Sequence, residues 1–181
     1  CRFIYKGDMM IKVASITKVE NGSIVTPKGF SAIGTAIGLK KEKKDLGAIV
    51  CDVPASCAAV YTTNQIQAAP LQVTKDSIAA EEKLQAIIVN SGNANACTGM
   101  KGLQDAYEMR VLGAEHFGLK ENYVAVASTG VIGVPLPMDI IRKGVATLIP
   151  TKEESEARSF SEAILTTDLI TKETCYEMII D

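Results

Sequence analysis

Four short, almost uninterrupted apolar runs constrain the fold more than any other feature of this sequence. They span residues 47–53, 58–61, 86–89 and 124–127, each bounded by turn-forming residues. Runs of that length without polar alternation read as strands covered on both faces. A further strand candidate lies at 175–180. Helical periodicity takes over in the later part. Leu103, Tyr107, Val111, Ala114 and Phe117 fall on one stripe, with Gly118 as its stop. Asp139 reads as the cap of a second helix carrying Ile140, Ile141, Val145 and Leu148. Thr151 and Glu154 suggest a capping box for a third, which would bury Ala157, Phe160 and Ile164. No linker divides the strand-rich first part from the helix-rich second, so one α/β or α+β unit is expected. Residues 1–8 precede Met9 and Met10, either of which suits a natural start. They read as an upstream extension and are set apart, leaving 9–181 as the folded unit.

Composition narrows the function classes. The 181 residues are 47% hydrophobic, enough for a real core, and 19 basic against 21 acidic residues give a net charge of −2. That balance argues against a nucleic-acid or anionic-membrane partner, which needs a clustered cationic surface. Trp is absent and aromatic residues make up only 5%, which disfavours stacking on single strands. No segment reaches the roughly 20 apolar residues of a membrane span. Five widely spaced cysteines and one histidine form no zinc pattern and point to reduced thiols in the cytoplasm. The lysine-rich run 40–44 reads as a solvated turn before a strand. A soluble domain acting on something small is the expectation.

Several positions could carry chemistry. His116 lies about 140–160° from the apolar stripe of its helix, at 100° per residue, and reads as solvent-facing and non-catalytic. Residues 90–99, Asn-Ser-Gly-Asn-Ala-Asn-Ala-Cys-Thr-Gly, follow an apolar run and precede a helix. Asn and Gly tolerate left-handed backbone, so a tight strand-to-helix loop is expected. It is either a ligand site or a turn whose asparagines satisfy their own backbone. Thr129 and Gly130 follow the 124–127 run and could present a hydroxyl and a backbone N–H to a developing oxyanion. A plain turn is the other reading. Thr166, Thr167 and Asp168 end the third helix, where they could hold an amino-acid ligand or simply close the helix.

Taken together, these pieces resemble a known family. Residues 25–30, 59–65 leading to 68–70, the 90–99 segment, 128–133 and 165–168 occur in the order found in ornithine acetyltransferase, the glutamate N-acetyltransferase of arginine biosynthesis. The chain resembles its amino-terminal (α) part from about residue 13 onward. The resemblance implies a layered α-β-β-α sandwich and a self-processing cytoplasmic enzyme. Its precursor cuts itself before a threonine, which begins the β chain and becomes the nucleophile. An acetyl group moves from N-acetylornithine to that threonine and then to glutamate. No cofactor or metal is needed, although some members also accept acetyl-CoA as a co-substrate. The partners implied are the β chain, in an α2β2 particle, and the two small substrates. By motif, Thr129 and Gly130 form the oxyanion hole and Thr166 contacts substrate, with Thr167 the neighbouring alternative.

An amino-terminal threonine can use its own α-amine as base, which fits a chain with one off-stripe histidine. The family's Gly-rich segment, its substrate-binding lysine and the cleavage junction are not found up to Asp181. No threonine here is therefore expected to be the nucleophile. Two other readings stay open: part of a related self-processed amidohydrolase or aminopeptidase, and a non-catalytic metabolite-binding module.

Overall fold

The computed structural model describes residues 2–6 and 9–180. Phe30–Thr35 (β3), Leu46–Ser56 (β4), Lys83–Asn93 (β5) and Val124–Val131 (β6) form one sheet in that order. The first three strands run antiparallel, and β5 and β6 run parallel. A parallel neighbour requires a crossover, and Gly99–Phe117 (α2) supplies it. A second sheet orders Arg2–Lys6 (β1), Met9–Lys18 (β2) and Tyr176–Ile180 (β7) as β1-β2-β7. The 1–8 stretch that sequence reasoning set apart thus contains a strand paired with β2.

Sheet register explains the core. Ala48, Ile88 and Val126 are successive register partners, so their side chains share one face, as do Ala86 and Val124. Against that face pack Val73 of Ala69–Glu81 (α1), Ala106 and Met109 of α2, and Ile141 and Val145 of Met138–Val145 (α3). Glu154–Ala163 (α4) takes the opposite face. It sits so close that a Cβ on Gly34 would lie 1.9 Å from the Ser159 carbonyl oxygen, and Phe160 covers Gly47. The result is the mixed α+β architecture expected. No helix among the described residues is long and apolar enough to cross a membrane.

Four local expectations need correcting, one of them Ile164, which was expected inside and is 38% exposed just past the end of α4. Residues 58–61 form no strand: β4 already uses its partner up to Ser56↔Lys83, and Val60 projects 98% exposed. α1 and β3 lacked a sequence signal. Pro70 sits in the first turn of α1, where its missing N–H costs nothing. Thr151 does not cap α4; its backbone bridges Ala32 instead, and Glu153 stands at the cap. Asp139 lies inside the first turn of α3, behind Pro137, and pairs with Arg142 at 2.6 Å.

Candidate functional site

The two parallel strands end side by side, and their last residues are the ones the sequence singled out. Asn90, Ser91, Gly92 and Asn93 stand opposite Ser128, Thr129, Gly130 and Val131. The 90–99 segment is therefore strand for its first four residues, and only 94–98 form the turn into α2. Its backbone is laced to the segment after β6, with Ala94 N–H donating to the Val131 carbonyl and Gly133 N–H to Ala96. This parallel ladder was missed because strand-breaking Asn and Gly are held here by side-chain bonds.

Those bonds decide between the two readings of the asparagines. Asn90 Nδ2 donates to the Asn93 carbonyl at 2.9 Å and receives the Ser128 hydroxyl on Oδ1. Asn93 donates to the Val134 and Pro135 carbonyls and accepts the Asn95 N–H at 2.8 Å. Asn95 donates to the Gly102 carbonyl and accepts the Thr98 hydroxyl. All three side chains are buried. They brace the strand ends, because buried amides need these partners.

Thr129 is half-buried and Gly130 exposed. Gly130 has φ +137°, which favours glycine, and a Cβ there would meet the Gly92 carbonyl carbon at 2.4 Å. Close approach of the neighbouring strand is thus enough to require glycine. Thr129 and Ser91 are register partners, so their side chains share a face. Ser91 Oγ donates on that face to the Ala163 carbonyl at the end of α4. Thr166 follows three residues later, half-buried, whereas Thr167 is exposed. Thr129 and Gly130 thus lie beside Ser91 and Gly92, and Ser91 ties that strand end to α4 three residues before Thr166.

Sequence reasoning missed Lys40 and Asp45. The lysine run is a turn, but only 41–43 are exposed. Lys40 Nζ donates to the Leu165 carbonyl at 2.7 Å, and Lys44 Nζ to Ser159 Oγ at 2.6 Å. Burial pushes the Lys40 ammonium below its usual lysine range, Asp45 opposes this, and Lys43 adds to it. His116 is exposed as expected, with Nε2 2.6 Å from the Leu148 carbonyl oxygen. No cluster of three or more metal-ligating side chains occurs among the described residues.

Residues 31–181 match the ArgJ family. The chain is 95% identical over 173 residues to the arginine biosynthesis bifunctional protein ArgJ of Bacillus cereus, covering 96% of this chain and 42% of that protein. Its counterpart in Halalkalibacterium halodurans is 59% identical over 170 residues, covering 94% and 41%. The chain thus spans about two-fifths of the length of these curated relatives. Among solved structures, the ArgJ protein of Bacillus halodurans superposes with a TM-score of 0.90 at 61% identity, covering 91% of this chain and 86% of that one. Ornithine acetyltransferase of Mycobacterium tuberculosis, complexed with ornithine, gives 0.84 at 31% identity, covering 92% and 94%.

Proposed function

The chain belongs to the ArgJ family, and from that premise we propose that it is the α part of a glutamate N-acetyltransferase of arginine biosynthesis. It binds N-acetylornithine and glutamate in turn and works with a β chain whose first residue is the nucleophilic threonine. That β chain arises by self-cleavage of a common precursor, and the pair assembles as α2β2 in the cytoplasm. The threonine hydroxyl attacks the acetyl carbonyl while the threonine α-amine takes its proton. The α-ammonium returns that proton to the departing nitrogen as the amide C–N bond breaks, so ornithine leaves as the free amine and an acetyl ester remains. The amine of glutamate then attacks the ester and regenerates the hydroxyl. Both steps pass through a tetrahedral oxyanion, stabilised by the Thr129 hydroxyl and the Gly130 N–H. Thr166 contacts the substrate. No cofactor takes part, and acetyl-CoA is at most an additional donor.

The observation that carries this reading is the pairing of Ser91 and Gly92 with Thr129 and Gly130 at the ends of two parallel strands, with α4 fastened beside them. Ends of parallel strands are where α/β proteins gather ligands. The whole gene's product, given N-acetylornithine and glutamate without acetyl-CoA, is expected to form acetylglutamate and ornithine one for one, and to weigh as two chains. Acetate in place of acetylglutamate would replace the transferase reading with a hydrolase.

His116→Asn is expected to leave this turnover unchanged and to lower stability by about 1 kcal/mol, the worth of one hydrogen bond. The imidazole is exposed and already engaged by Leu148. A strong chelator should likewise have no effect. Steady-state rates and a melting curve check both, and a large loss of turnover from either treatment would mean different chemistry.

A further inference from the structure

The end of α4 is held at two carbonyls by residues from elsewhere in the chain. Ser91 Oγ of β5 donates to Ala163 O, and Lys40 Nζ donates to Leu165 O at 2.7 Å. These carbonyls lie where a helix has run out of its own N–H donors, and a cation at that end also suits the helix dipole. Beyond them no regular element occurs until β7 begins at Tyr176. Thr166 is the next residue.

Both holding residues are tied to one buried residue, Asp45, Lys40 through its carboxylate and Ser91 through its backbone carbonyl. Asp45 is 0% exposed and accepts the backbone N–H groups of Ile37 at 2.7 Å, Gly38 at 3.1 Å and Lys40 at 2.8 Å. Its own N–H donates to Thr35 O, and its carbonyl accepts the N–H of Ser91 at 2.8 Å. The Lys40 stem then crosses Gly92, where an added Cβ would lie 3.0 Å from Lys40 Cγ. Gly92 stands opposite Gly130. Lys40 therefore reaches from Gly92, the register partner of Gly130, to the residue before Thr166.

We propose that Lys40 and Ser91 act as a two-point clamp that sets the position of Thr166 relative to Thr129 and Gly130, and so are positioning residues for acyl transfer. The proposal rests on Thr166 being a substrate contact, as argued above. The ammonium acts on a backbone carbonyl and needs no contact with substrate. A shift of about 1 Å in a positioned group costs on the order of 100-fold in rate, so an anchor at the start of an irregular segment matters far more to turnover than to folding.

The test uses Lys40→Met in the whole enzyme, which removes the ammonium and keeps the stem over Gly92. kcat/KM is expected to fall roughly 30- to 100-fold, mostly through kcat, and Lys40→Arg should recover most of it. Amide hydrogen exchange at 164–168 should quicken about tenfold or more, while 86–91 stays protected. Unchanged exchange at 164–168 overturns the clamp, and so does a rise in KM with kcat intact. If Lys40→Met fails to fold, Ser91→Ala is read by the same two measurements, since it removes the other point. A parent enzyme that transfers no acetyl group would sink the proposed function, and exchange would still decide the clamp.

Discussion

Thr129→Ala in the whole gene's product is expected to lower kcat by roughly 100- to 1000-fold, the usual consequence of removing one oxyanion donor. The variant should fold, because the Thr129 hydroxyl makes no side-chain hydrogen bond among the described residues and the side chain is only half-buried. KM should change little, since the donor meets charge that develops only in the transition state. Thr129→Ser keeps a hydroxyl and should retain a substantial part of the rate. Gly130 offers no comparable test. Any side chain there would strike the Gly92 backbone and disturb the strand pair before it reached the substrate. Near-parent turnover in a well-folded Thr129→Ala enzyme would remove Thr129 from the oxyanion site.

The contrast between these neighbours shows what a sequence can and cannot convey. The strands β4, β5, β6 and β7 were legible from their apolar runs, although the same signal at 58–61 marks no strand, because β4 has no partner left there. α2 was legible from its stripe and from Gly118, which closes it at φ +66°. α1 was not, because its inner face spends polar residues. Thr74 Oγ1 donates to the Val126 carbonyl and Ser77 Oγ to Val124, so the stripe that would have marked a helix is broken. β3 was hidden for a related reason. Its Ala32 and Gly34 are small because the chain around Thr151 and Ser159 approaches their backbone directly. At the site, Thr129, Gly130 and Thr166 stood out only through their motifs. Lys40 was invisible, since its partner Leu165 is 125 residues away and nothing local distinguishes it from Lys41 or Lys43.

The 181-residue chain by itself is expected to form no acetylglutamate, and co-expression with the β chain is expected to restore it. Transfer through a covalent ester needs an activated hydroxyl, and internal serines and threonines lack a free α-amine to activate them. The structure narrows the exceptions. Ser91 and Ser128 have their hydroxyls committed to Ala163 and Asn90, and His116 has its Nε2 at the Leu148 carbonyl. The oxyanion donors can stabilise a transition state but cannot begin the attack. Apolar surface argues in the same direction. Val131 and Ile132, directly after Gly130, are 60% and 63% exposed, and every residue of β7 is exposed. Exposed apolar side chains of that number favour association, so the chain alone should also aggregate more readily than the two-chain enzyme. Assaying acetylglutamate from the purified chain, then from the co-expressed pair, decides the matter. Robust turnover by the chain alone would overturn the two-chain mechanism and leave Thr129 and the exposed Cys97 as the nucleophiles to examine.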